Sequence, residues 1–222
     1  MEYISMESNW DLGKAQSNYH FEWNLPSQDT DFKIVARFTG DWSNELQQIK
    51  NSVEPVTWKT RKKNYHNSNA SLDTEVNDLI RAGQNPDTVM YRRSREITGI
   101  WQTMVDCLGL LNTKTAFHIQ YPGEMVNLHI DKQYEMNDDP SKVSRFLIFL
   151  EDWKPGHFIQ FGTSLCKWQA GDVFWFDWAN MPHATANAGW EPRCLLQCTG
   201  TITNKTQDIL DGDECLIRIN EH

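Results

Sequence analysis

Hydrophobic and polar positions change rhythm once along this chain. Up to residue 114 the patterns are mixed. Phe32 to Phe38 (FKIVARF) alternates and predicts a strand. Asp41 stands where a helix N-cap would, and Trp42, Leu46, Ile49 and Val53 then recur at helical spacing before Pro55. A second short helix is predicted at 73–82, stopped by Gly83, after an exposed loop at 64–71 (NYHNSNAS). The strongest helical pattern follows Ser94, where Ile97, Ile100, Trp101, Met104, Val105, Leu108 and Leu111 make one broad apolar stripe. A stripe that wide serves packing, and it predicts a helix lying along the outside of a sheet.

From Thr115 onward the texture turns to short alternating or aromatic runs separated by turn residues. Strands are predicted at 115–121, 126–131, 144–151, 157–162, 165–168, 172–177, 182–187 and 192–201. Pro122-Gly123, Asp138-Asp139-Pro140, Pro155-Gly156 and Gly171-Asp172 mark breaks between them. Eight short strands at this spacing indicate an antiparallel barrel or jelly roll. The tail 204–222 is polar, with one strand predicted at Cys215 to Ile219. The expectation is one domain: a support region at 1–114 with helices packed on one sheet, a β core at 115–203, and a C-terminal tail at 204–222.

Composition narrows the classes. A hydrophobic fraction of 39% and ten Trp can build a substantial core in 222 residues. A net charge of −9 argues against a general nucleic-acid binder. Two basic clusters, Lys59 to Lys63 (KTRKK) and Arg92 to Arg95 (RRSR), run against it, and read either as solvated loop ends or as a surface for an anionic substrate or partner. The first residues show no cationic start leading into an apolar run, and nothing approaches the ~20 apolar residues of a membrane helix. Five cysteines without a C-x-x-C pair favour free thiols. The expectation is a soluble, cytoplasmic protein.

Candidate chemistry begins at His129-x-Asp131 in YPGEMVNLHID. Alternate strand residues share a face, so an imidazole and a carboxylate project together. His183, 54 residues later, is the natural third ligand. Two histidines and one carboxylate form a facial triad that leaves three open positions on a non-haem Fe(II); Zn accepts the same set. Arg193 follows His183 by ten positions in the alternating run RCLLQCTGT. Its use there would be a bidentate clamp on a carboxylate. Parity puts Arg193, Leu195, Gln197 and Thr199 on one face, assigned to the barrel interior, and Cys194, Leu196 and Cys198 on the other.

In that order and spacing, residues 115–201 resemble the Fe(II)/2-oxoglutarate-dependent oxygenase superfamily. YPG before the His-x-Asp is similar to the prolyl-hydroxylase branch, which implies that Tyr121 contacts 2-oxoglutarate. The segment WQAGDVFWFDWANMPHATANAGWEPRCLLQ is similar to the aspartyl/asparaginyl β-hydroxylase branch. The resemblance implies a double-stranded β-helix (a cupin-like jelly roll) with Fe(II) on His129, Asp131 and His183. It also implies 2-oxoglutarate as co-substrate anchored by Arg193, dioxygen as oxidant and ascorbate as a possible reductant. Asp131 favours hydroxylation over halogenation. Arg145, 16 residues beyond His129, matches an arginine of the second branch and touches 2-oxoglutarate or substrate, or else is a rim arginine paired with a carboxylate. Relatives often carry Arg-x-Ser where this chain has Leu195, so a second carboxylate contact is expected from Gln197 or Tyr121.

His118 and His157, also in predicted strands, read as satisfied or exposed strand histidines. Trp168, Phe174, Trp175, Phe176 and Trp178 read as core. The substrate implied is a side chain of a protein or peptide, or an amino acid. A nucleic acid or small metabolite is the alternative within the enzyme class, and a non-catalytic cupin-like protein the alternative outside it.

Overall fold

The computed structural model describes residues 32–52, 55–57, 89–92, 97–129, 139–212 and 215–219. The predicted helix at 73–82, the loop at 64–71, the cluster Lys59 to Lys63, and Asp131 lie outside them. Two sheets face each other. In chain order the strands are β1 (Phe32–Thr39), β2 (Pro55–Thr57), β3 (Val89–Arg92), β4 (Leu111–Gln120), β5 (Met125–His129), β6 (Val143–Phe149), β7 (His157–Phe161), β8 (Ser164–Leu165), β9 (Asp172–Phe176), β10 (His183–Asn187), β11 (Arg193–Thr201) and β12 (Cys215–Arg218). The larger sheet runs β12-β1-β9-β6-β11-β4-β3-β2 and the smaller β5-β10-β7-β8. From β4 to β11 the chain changes sheet at every step but β7 to β8, which is the jelly-roll arrangement expected from the sequence.

The larger sheet is covered on both faces, which explains its composition. Every residue of β6 (VSRFLIF) is buried. Its odd positions Val143, Leu147 and Phe149 join Phe161, Phe174 and Leu195 between the sheets. Its even positions Phe146 and Ile148 join Cys194, Leu196 and Cys198 on the outer face. The face assignment read from β11 therefore holds. Phe174, Phe176, Trp168 and Trp178 are core side chains between the sheets, while Trp175 packs on the outer cluster.

Helices α1 (Ser43–Ser52) and α2 (Ile100–Cys107) cover that outer face. Asp41 Oδ1 accepts the Ser43 N–H at 3.0 Å and so satisfies a first-turn donor. Trp42 and Leu46 of the expected stripe are buried, and the Trp42 indole N–H donates to the Leu150 carbonyl at 2.9 Å. In α2, Trp101, Met104, Val105 and Leu108 pack on the sheet, with Trp101 edge-on to Phe117 at 5.3 Å. The stripe ends earlier than its spacing predicts. Gly109 turns the chain at φ +70°, so Leu111 opens β4 and is 59% exposed.

Three elements were not legible in the pattern. Strands β2 and β3 are three and four residues long at one edge of the sheet. Helix α3 (Asn204–Asp211) occupies the polar tail, where it packs Ile209 and Leu210 on the outer cluster and is fixed by hydrogen bonds. Thr203 Oγ1 accepts the Thr206 N–H at 3.2 Å and donates to the Gly109 carbonyl at 2.7 Å. Thr206, fully buried, donates from Oγ1 to the Leu108 carbonyl at 3.0 Å. β12 is one residue shorter than predicted and pairs in parallel with β1.

One position is a sharp test of this architecture. Gly171, at φ +89°, precedes β9, and a Cβ there would sit 2.0 Å from the Phe38 carbonyl oxygen. Gly171→Ala is expected to destabilise the protein by about 2 kcal/mol or more, lowering the thermal midpoint by roughly 4–8 °C. An unchanged midpoint in calorimetry would show that β1 does not dock there.

Candidate functional site

The two candidate histidines come from adjacent strands of the smaller sheet. His129 ends β5 and His183 begins β10, and the two are directly opposed in the antiparallel register. Opposed residues of such a pair lie about 4.5–5.5 Å apart at Cα. Sequence distance is thus closed by hydrogen-bonded pairing on rigid strands. His183 is buried, with Phe176 edge-on to its ring at 4.9 Å and Phe161 at 6.2 Å.

The His183 ring has a defined tautomer. Its Nδ1 lies 3.0 Å from the Met181 carbonyl oxygen. A carbonyl can only accept, so Nδ1 carries the proton and Nε2 carries the lone pair of the neutral ring. That is the outer hydrogen bond metal-ligating histidines use to set their donor nitrogen. Among the described residues no three His, Cys, Asp or Glu side chains are grouped to hold a metal; Asp131 lies outside those residues, and His129 is described through its backbone.

Two buried arginines share the interior face of the larger sheet. Arg145 is paired in register with Thr199, and its Nε donates to Thr199 Oγ1 at 3.0 Å. Its guanidinium carbon lies 5.6 Å from the centre of the Trp178 ring. β9 runs on from the Leu147–Phe174 pair to Phe176, which brings Arg145 level with the residue that touches His183. Arg145 therefore belongs to the histidine end and is a buried rather than a rim arginine.

Arg193 lies at the other end. It is 3% exposed, is opposed in register to Gln120, and its Nη1 donates to the Phe158 carbonyl at 3.1 Å. Phe158 is three residues along β7 from Phe161, the register partner of His183. That separation is about 10 Å of strand. Among the described residues no carboxylate pairs with Arg193, and its buried Nε has no hydrogen-bond partner. Burial pulls the guanidinium down to about 9, which still leaves it protonated at neutral pH.

Two residues outside the expected set complete this deep end. Gln120, 1% exposed, donates from Nε2 to Thr185 Oγ1 at 2.9 Å, and its Oε1 has no partner among the described residues. His157 is equally buried and is opposed to Asn187; its Nε2 lies 2.9 Å from the Glu191 carbonyl and its Nδ1 has no partner among the described residues. The expectation of a satisfied strand histidine holds at Nε2, which meets the Glu191 carbonyl, and not at Nδ1, which has no partner among the described residues. Alternation in HFIQF could have placed His157 inward with Ile159 and Phe161. What it could not supply is which end of the interior it reaches.

The remaining expected site residues divide. Gln197, half-buried, faces inward between Leu147 and Ala116. Tyr121 does not face inward: its ring packs with the outer cluster and its hydroxyl donates to the Lys50 carbonyl of α1 at 3.5 Å. Inward positions of β4 are Ala116, His118 and Gln120, so parity puts Gln120 inside and turns Tyr121 away. His118, half-buried, is opposed to Leu195. All five cysteines are free, and burial pushes the Cys166 thiol up to about 12 and raises Cys194 and Cys198 as well, so these three stay un-ionised.

Solved structures of similar fold include non-haem oxygenases and cupin barrels. A Pseudomonas putida prolyl-4-hydroxylase is 17% identical over 78% of this chain and 94% of its own, with a TM-score of 0.51. The α-ketoglutarate-dependent carbocyclase SnoK of nogalamycin biosynthesis is 11% identical over 55% of this chain and 69% of its own, with a TM-score of 0.43. A cupin 2 conserved barrel domain protein from Salinispora arenicola is 12% identical over 54% of this chain and 82% of its own, with a TM-score of 0.33. The likeness to the prolyl-4-hydroxylase establishes a double-stranded β-helix fold. No family model matches the sequence, and no curated protein matches it either. Among the described residues no helix is long and apolar enough to cross a membrane.

Proposed function

We propose that this chain is an Fe(II)- and 2-oxoglutarate-dependent oxygenase that hydroxylates a C–H bond of a protein or peptide side chain or an amino acid. The observation that carries the reading is one line of the interior. It begins at the opposed pair His129–His183 and ends about 10 Å deeper at a buried arginine without an acidic partner among the described residues. That spacing suits a short dicarboxylic acid with one end at a metal and the other at a guanidinium.

In this reading His129, Asp131 and His183 hold Fe(II), which supplies dioxygen chemistry when bound. The Met181 carbonyl keeps the His183 donor nitrogen unprotonated. Arg193 binds and orients the far carboxylate, and Phe161, Phe174 and Phe176 exclude water from the space between the sheets. Arg145 sits at the histidine end, where it would hold an acidic group of the co-substrate or substrate.

Succinate release tests this. With Fe(II), 2-oxoglutarate and ascorbate, wild type should form succinate even without its prime substrate, and His129→Ala and Arg193→Ala should not. A protein that neither retains Fe(II) nor consumes 2-oxoglutarate would instead be a binding jelly roll. Product carrying an added 16 Da in digests of candidate peptides would identify the substrate class.

A further inference from the structure

The deep end of the interior holds three polar atoms with no partner among the described residues, and they are not all of one kind. Arg193 Nε is a donor, whereas Gln120 Oε1 and, in the neutral ring, His157 Nδ1 are acceptors. They are brought together by the sheet: Gln120 opposes Arg193 across β4 and β11. Arg193 reaches the carbonyl of Phe158, the residue after His157. A carboxylate placed here would satisfy the arginine and face lone pairs on the other two. The seat becomes uniform in two steps. Exchanging the Gln120 amide nitrogen and oxygen lets Oε1 accept from Thr185 Oγ1 and turns an N–H inward. Adding a proton to His157 gives Nδ1–H while Nε2–H stays on the Glu191 carbonyl.

We propose that His157 is a second, proton-gated contact for the acid that Arg193 holds, so that the carboxylate enters together with one proton. This rests on the co-substrate reading given above. The proton comes from solvent, adds to Nδ1, and leaves when the acid leaves. No covalent bond to the ligand forms. Without ligand, burial first of all keeps the ring below its ordinary 6.5, against the Glu191 carbonyl and with the help of the Arg193 charge. The other charges acting on it are Glu151 and Lys154 from the β6–β7 connection. The Glu191 carboxylate is paired with Lys154, while β10 contributes neutral Asn187 and the Trp168 ring stacks at 6.4 Å. An anion beside Arg193 offsets that positive charge at His157, while Lys154 stays paired with Glu191, and so raises the proton affinity of the ring.

The test is calorimetric titration of the Mn(II)-loaded full chain with 2-oxoglutarate in two buffers of different ionisation enthalpy, between pH 6.5 and 8.5. Wild type should take up close to one proton per ligand at pH 7.5, and Kd should rise nearly tenfold per pH unit above neutrality. His157→Gln should bind without that uptake and with a flat pH profile, which separates His157 from protons exchanged at the metal. Should His157→Gln fail to fold, the ring carbon shifts of His157 in wild type, followed by NMR with and without ligand, report the same protonation. Binding to wild type without proton uptake, or His157 staying neutral in the complex, overturns this proposal and leaves the oxygenase reading standing. No binding of 2-oxoglutarate to wild type overturns both.

Discussion

Arg193→Met should abolish saturable 2-oxoglutarate binding and at the same time raise the thermal midpoint of the ligand-free protein. The two effects have one cause. Arg193 is a buried charge with no carboxylate beside it among the described residues, and one of its donors is unpaired. Desolvating an ion costs several kcal/mol, and an apolar side chain of similar length removes that cost. What is lost is the hydrogen bond from Nη1 to Phe158, and an orphaned carbonyl costs about 1–3 kcal/mol. The balance favours the variant by about 1 kcal/mol, which for a chain this size raises the midpoint by roughly 2–4 °C. Binding moves the other way, because the guanidinium supplies both charge and a fork of donors to a carboxylate. A loss of about 100-fold or more in affinity is expected, read by calorimetry with Mn(II). Arg193→Lys should recover part of it, since the ammonium keeps the charge and loses the fork. A methionine variant that binds normally, or one that unfolds at a lower temperature, would mean that Arg193 is a structural residue.

The core of this fold was legible because its strands obey local rules. The Gly171-Asp172 and Pro155-Gly156 breaks bound β9 and β7 closely, and the inward and outward faces of β11 follow from parity. Leu195 falls between the sheets, with Cys194 and Leu196 outside, as alternation requires. Failures occur where a decision depended on a neighbour that one strand cannot reveal. Tyr121 and Gln120 are adjacent, and only the pairing of β4 with β11 decides that the glutamine is inside. Leu111 continued a helical stripe, but Gly109 had already turned the chain. Helix α3 packs only Ile209 and Leu210 on the outer cluster, adjacent residues that set up no periodicity, and is further held by the hydroxyls of Thr203 and Thr206. His157 looked ordinary because its environment is assembled by β10, β11 and the segment between them. In the candidate site, the histidine pair and Arg193 could be named from order and spacing. Depth could not: that Arg145 lies level with His183 and Arg193 three residues deeper is a property of the register.

His183→Ala should lower metal retention by more than 100-fold and remove succinate formation, with only a modest loss of stability. Weakening a partner in the outer shell of a metal site typically costs 10–100-fold in affinity, so deleting a ligand is expected to cost more. The side chain also packs: Phe176 and Phe161 would each lose a ring neighbour, and the Met181 carbonyl would lose its donor. Those losses amount to about 1–3 kcal/mol. His183→Gln fills much of the volume and separates packing from ligation. If ligation is the role of His183, both variants lose metal in equilibrium dialysis, while the glutamine variant stays closer to wild type in thermal unfolding. If His183 is instead a packed core histidine, metal retention follows stability and the glutamine variant recovers both. The opposed register of His129 and His183 adds a sharper condition. Two ligands to one ion are strongly coupled, so His129→Ala on top of His183→Ala should cost far less than the sum of the single losses. Additive losses would place the two histidines in separate roles and remove the basis for a shared metal.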